Sequence, residues 1–187
     1  MARPIVIAYH LVWTGYGWWL PNDPRGSMSH CIRKDVLKEI GELHYGRKKL
    51  QPAGEETHRF YLEAERLLKH PLTLFGRDHV SIIAEAFDKA VKDLRYTCWA
   101  CAIMPDHVHV LIRKHRDSAE KMIANLQAAS HDALKHKGLF ASDHPVWGGP
   151  GWKVFLDHPD ELVANVACES LLRLTDALLV PDEWREV

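Results

Sequence analysis

Between residues 78 and 112 the apolar spacing switches from that of a helix to that of paired strands, and this switch does most to limit the folds open to the chain. Ile82, Ile83, Ala86, Phe87, Ala90, Val91 and Leu94 recur three and four apart, which predicts a helix over 78–94 with Asp78 as its N-cap. Residues 95–104 then read as a strand, Pro105-Asp106 as a turn and 107–112 as a second strand, together a hairpin. Another helix opens at Asp117-Ser118-Ala119-Glu120, carries Met122, Ile123, Leu126, Ala129, Ala133 and Leu134 as its stripe, and stops at Gly138. Upstream, the β-rich apolar run 5–13 is a first strand. Downstream, Lys153-Val154-Phe155-Leu156 forms a short strand, and Pro159-Asp160-Glu161 suits the first turn of a last helix reaching about residue 179.

The segment 14–76 stands apart from this pattern. It begins with a loop rich in Gly, Pro and aromatics, then shows charged helical stretches at 34–45 and 56–69, split by Gln51-Pro52-Ala53-Gly54. Read as an insertion, it leaves the order β-α-β-β-α-β plus a final helix. The expectation is therefore an α+β fold of the ferredoxin-like kind, an antiparallel sheet with helices on one face. A helical insertion follows strand 1, an extra C-terminal helix follows strand 4, and all of 1–187 counts as one domain.

With 187 residues, 47% apolar and 26% charged, the composition is that of an ordinary globular chain, which excludes collagen, coiled-coil and wholly disordered classes. The 24 basic and 25 acidic residues nearly cancel, so any nucleic-acid binding must come from a local patch. No run approaches a membrane span and no signal-type apolar segment follows Met1, so a cytoplasmic protein is expected. Four cysteines make no disulfide scaffold. Cys98 and Cys101 form a C-x-x-C, but on a regular strand residues three apart face opposite ways, which favours small apolar fillers over a zinc or redox pair.

The sharpest motif is Met104-Pro105-Asp106-His107-Val108-His109-Val110-Leu111-Ile112. On a strand, His107 and His109 share a face while Val108, Val110 and Ile112 pack on the other. Two imidazoles so placed can hold one divalent ion and leave positions for a third ligand and a phosphate. An isolated His-x-His reads first as two solvent-facing side chains; after Pro-Asp, on a central hairpin of this order, it reads as a metal-binding pair.

This motif resembles the signature of HUH single-strand DNA endonucleases, in particular single-tyrosine insertion-sequence transposases and their REP-associated relatives. The resemblance covers about 78–168 and the strand at 5–13, with the Pro145-Val146-Trp147 segment included. It implies that His107 and His109 hold Mg²⁺ or Mn²⁺, which polarises a scissile phosphate. It also implies a nucleophilic tyrosine on the last helix, a covalent 5′-phosphotyrosine link, single-stranded hairpin DNA as partner, and a homodimer.

The chain departs from that pattern. Its five tyrosines, Tyr9, Tyr16, Tyr45, Tyr61 and Tyr96, all precede His107. Laying 160–172 on the family helix puts Cys168 near the nucleophile position and Leu172 where a polar ligand often sits. Cys168 as a thiolate nucleophile, Tyr96 reaching across from the neighbouring strand, and loss of strand transfer are the alternatives. Asn165, Glu169 and Asp106 are lesser metal candidates. Arg113, Lys114 and Arg116 follow the His strand as a phosphate-binding cluster, with Arg47-Lys48-Lys49 as a second. Trp147 and Trp152, and also Trp18 and Trp19, are candidates to stack unpaired bases, or else plugs beneath loops. Two function classes follow: a metal-dependent nickase of the transposase type, or a decayed or domesticated transposase that binds a DNA hairpin without cutting it.

Overall fold

β1 (Ala8–Thr14), β2 (Cys98–Ile103), β3 (His107–Arg113) and β4 (Trp152–Leu156) form one sheet in the order β2-β3-β1-β4. The structure is a computed structural model and describes residues 5–158, 160 and 161. Every neighbouring pair in the sheet is antiparallel. With helix α2 (Arg77–Asp93) between β1 and β2, and α3 (Ala119–His136) between β3 and β4, this is the ferredoxin-like βαββαβ arrangement. The expected final helix from residue 160 lies, but for its first residues, outside the described residues.

Strand alternation decides where the core sits. Tyr9, Leu11 and Trp13 of β1, with Val108, Val110 and Ile112 of β3, turn to the face packed by Ile83, Phe87 and Ala90 of α2 and Met122, Ile123, Leu126 and Leu134 of α3. A Val, Leu, Ile, Phe or Met side chain so placed stabilises the fold by about 1.5–3 kcal/mol on full burial. The alternate positions of β1 and β3 face the other way, where Ala8 and Leu111 join Ala100 and Leu156 in a second, smaller apolar cluster.

The local signals at the element ends mostly match. Ser118 caps α3, its Oγ accepting from the Lys121 N–H at 3.3 Å. Gly138 ends it at φ 71°, with Leu139 N–H donating to Leu134 C=O at 3.2 Å. In α2 the N-cap is Gly76 rather than Asp78, and Asp78 lies in the first turn, where its charge suits the helix dipole.

The C-x-x-C expectation needs correcting. A register shift between Cys98 and Ala100 leaves Trp99 as an extra residue, so Cys98 pairs with Ile112 and Cys101 with Val110. Both cysteines thus turn to the helix side and pack, partly buried, against the core there.

Residues 15–73 form a second compact unit, distinct from the sheet unit. Its helix α1 (Gly54–Leu67) matches the expected 56–69, whereas 34–45 shrinks to a 3-10 turn, Asp35–Ile40. Gly41, at φ 139°, ends that turn in a conformation few other residues adopt. At the centre of the unit the buried Asp23 carboxylate accepts from Arg25 Nε at 3.0 Å and Nη2 at 2.8 Å, and from the Tyr61 hydroxyl. Burial and the Asp23 charge hold the Tyr61 phenol well above its usual pKa, so it stays a donor. Gly26, at φ 96°, has no room for a side chain, because a Cβ would meet Gly46 O at 1.9 Å.

Candidate active site

The β1–β3 register builds the site. Val12 lies opposite His109, Thr14 opposite His107 and His10 opposite Leu111, so His10, His107 and His109 all turn away from the helices. His10 sits diagonal to His109, a spacing long side chains bridge. Its Nε2 lies 2.9 Å from His109 Nδ1, with ring centroids 5.1 Å apart. The His107 and His109 rings meet edge to face at 4.9 Å. His107 Nδ1–H donates to Asp106 Oδ1 at 2.5 Å.

These bonds fix how the rings can act. A carboxylate only accepts, so the Asp106 bond places the His107 proton on Nδ1 and leaves the Nε2 lone pair as the base. His109 Nδ1 is engaged by His10, so in the tautomer donating to His10 the lone pair again sits on Nε2. Burial first, then the neighbouring His107 and His10, pushes the His109 pKa down to about 3, so this ring is neutral, as a metal ligand must be. Two imidazoles on one strand face, each held through Nδ1 by an outer partner, are a donor set that fits a divalent ion. Among the described residues no group of three or more His, Cys, Asp or Glu side chains is placed to hold a metal ion together.

The sequence pattern gave no sign of His10. Its place on the His face follows from alternation within β1, but its approach to His109 depends on a register that sequence does not reveal.

The other candidates separate sharply. Trp152 is 43% exposed and lies opposite Val12, in the same cross-strand row as His109. Arg113, Lys114 and Arg116 are at least partly exposed, with Arg113 on the His side of β3 about 20 Å along the strand from His107. Arg116 also lines a shallow pocket with Asp93, Leu94, Arg95 and His115.

Trp147 is in the core, contrary to its expected role as a stacking platform. Its ring packs on Trp13 and Phe75, and its Nε1–H reaches Ser130 Oγ at 3.1 Å and Gln127 C=O at 3.2 Å. The cause is a tight turn at Val146, φ 63°, closed by Trp147 N–H donating to Pro145 C=O at 2.7 Å. That turn swings the indole inward.

Neither tyrosine of the sheet unit reaches the histidines. Tyr9 and Tyr96 belong to the helix-side core. The Tyr96 hydroxyl donates to Asp117 Oδ2 at 2.8 Å and accepts from Asn125 Nδ2 at 2.7 Å. Burial, then the Asp117 bond, pushes its pKa up to about 12, so it is a poor nucleophile as well as a distant one. Cys168, Asn165, Glu169 and Leu172 lie outside the described residues.

No family model and no curated protein matches the chain. Solved structures similar to it include the following two. One is a REP-associated tyrosine transposase bound to a REP hairpin, with 8% sequence identity and a TM-score of 0.46, the match covering 93% of this chain and 71% of that one. The other is a candidate transposase from Deinococcus radiodurans R1, with 10% identity and a TM-score of 0.41 over 91% of this chain and 94% of that one. Among the described residues no helix is long and apolar enough to cross a membrane.

Proposed function

We propose that this chain is a transposase-type protein that binds single-stranded, hairpin-forming DNA and uses a divalent metal held by His107 and His109 in nicking it. One observation carries the reading: both imidazoles are anchored through Nδ1, by Asp106 and by His10, on the same face of one strand. Mg²⁺ or Mn²⁺ bound there supplies Lewis-acid polarisation of the scissile phosphate. Asp106 engages the Nδ1–H of His107, and His10 does the same for His109 in the tautomer where His109 Nδ1–H donates to it. Arg113, Lys114 and Arg116 bind the phosphates that run past the site, and Trp152 offers an exposed indole to an unpaired base. Cys168 is the nucleophile candidate, since a cysteine is a strong nucleophile once deprotonated and this one stands near the position where the resemblance expects the tyrosine. A homodimer belongs to the same reading.

A second reading is favoured by the placement of the phenols. With Tyr9 and Tyr96 both on the helix side, the sheet unit offers no tyrosine to the histidines, and a protein that holds hairpin DNA without cutting it follows.

Incubation with Mn²⁺ and single-stranded hairpins, resolved on denaturing gels beside His107→Ala and Cys168→Ser, decides between them. The nickase reading expects cutting that His107→Ala abolishes and a covalent protein–DNA band that Cys168→Ser removes. Retained DNA binding with no cutting selects the binding-only protein, and absence of binding to any hairpin rejects both.

A further inference from the structure

The unit 15–73 carries an aromatic and basic surface of its own. Trp18 and Trp19 are adjacent in sequence but opposite in role. Trp18 is buried, its Nε1–H donating to Thr73 C=O at 2.6 Å and its ring against Tyr61 at 4.6 Å. Trp19 is 38% exposed. It sits at φ 52°, a left-handed conformation that a bulky residue adopts only when its surroundings impose it. Two contacts impose it here. The Trp19 N–H donates to the Tyr61 hydroxyl at 2.9 Å, and the Arg25 guanidinium lies 4.1 Å from the indole centroid. Arg25 is itself locked by buried Asp23. The indole is therefore backed by a fixed cation and presented to solvent.

The same framework brings up positive charge. Lys48 N–H donates to Arg25 C=O at 3.2 Å, Ser27 N–H to His44 C=O at 2.7 Å and Gly46 N–H to Ser27 C=O at 2.6 Å. Gly26 meets Gly46 closely enough to exclude any Cβ. Arg47, Lys48 and Lys49 are thus stitched beside Arg25. Tyr45, 56% exposed, stacks on His30 at 4.5 Å on the same framework. From Arg25 to Leu50 the sequence has seven Lys and Arg against three Asp and Glu, in a chain of net charge −1. An exposed, preorganised indole beside a local cationic cluster is the combination that holds unpaired bases by stacking and their phosphates by charge.

We infer that residues 15–73 form a second single-stranded DNA site, with Trp19 as the base-stacking platform and Arg47, Lys48 and Lys49 as its phosphate contacts. The choice of DNA as the nucleic acid rests on the proposed function; the stacking site itself rests on the geometry above.

Fluorescence anisotropy in EDTA, with labelled single-stranded and duplex oligonucleotides, tests it on the full chain. Trp19→Asn removes the indole and keeps a residue that tolerates the left-handed conformation, while Trp19→Phe retains a π face. The wild type is expected to prefer the single strand, and Trp19→Asn to weaken that binding roughly 5- to 150-fold, the range one base stack supplies. Trp19→Phe recovers most of the loss, and the salt slope stays unchanged in both. The triple variant Arg47→Ala, Lys48→Ala, Lys49→Ala instead flattens the slope by about 2. Wild-type affinity in Trp19→Asn, or a wild type that binds no single strand, overturns the inference. Because EDTA removes the metal, the two claims fail separately. A protein that binds through Trp19 yet never cuts with Mn²⁺ supports this site and rejects the nickase. One that cuts hairpins but binds equally well without Trp19 rejects only this site.

Discussion

β1 and β3 show two chemistries on the two faces of one ladder. Towards the helices stand Tyr9, Leu11, Trp13, Val108, Val110 and Ile112; away from them stand His10, Val12, Thr14, His107 and His109. Neighbours in sequence therefore do unrelated jobs. The main core is built from the odd positions of β1 and the even positions of β3, and the histidines share the alternate set with the smaller apolar cluster of Ala8 and Leu111. The lesson is that single substitutions should separate folding from ligand binding at adjacent residues.

Trp13→Ala attacks the stabilising face at its largest side chain, 1% exposed, and is expected to cost about 3–5 kcal/mol in urea unfolding. Because the β1–β3 register goes with it, metal uptake falls too. His107→Ala, on the other face, is expected to leave stability within about 1 kcal/mol while Mn²⁺ affinity drops by more than the roughly hundredfold that an outer-shell change can cause. His10→Phe sharpens the comparison further. It keeps a ring at the position but no nitrogen, and should weaken Mn²⁺ binding about 10- to 100-fold in calorimetric titration, with the melting curve nearly unchanged. The smallest effect belongs to Tyr96→Phe. Losing a hydroxyl bonded to Asp117 and Asn125 should cost about 1 kcal/mol of stability and leave Mn²⁺ binding untouched, since Tyr96 lies on the helix side. A Mn²⁺ defect in Tyr96→Phe breaks the separation of faces.

What the sequence makes legible here is whatever has a local signal. The period-two alternation of 107–112 is enough by itself to put His107 and His109 on one face, and Ser118 and Gly138 mark the ends of α3. The order of elements suffices for the ferredoxin-like topology. What stays hidden is whatever depends on a single backbone irregularity or on register. The extra residue Trp99 reverses the C-x-x-C geometry, and the left-handed turn at Val146 sends Trp147 inward, with no glycine at either position to announce it. His10 joins the site only through the pairing of β1 with β3. Trp18 and Trp19 look equivalent in sequence; a bond to Tyr61 and an arginine held by a buried aspartate tell them apart.

The central claim is that the His-bearing face of β3 holds a divalent ion through His107 and His109. The most direct measurement is a Mn²⁺ titration of the metal-stripped full chain, followed by loss of the free-ion paramagnetic resonance signal, with His107→Ala and Tyr96→Phe alongside. The account predicts one Mn²⁺ site per chain, retained in Tyr96→Phe and lost in a folded His107→Ala. Equal Mn²⁺ uptake by wild type and His107→Ala would contradict it.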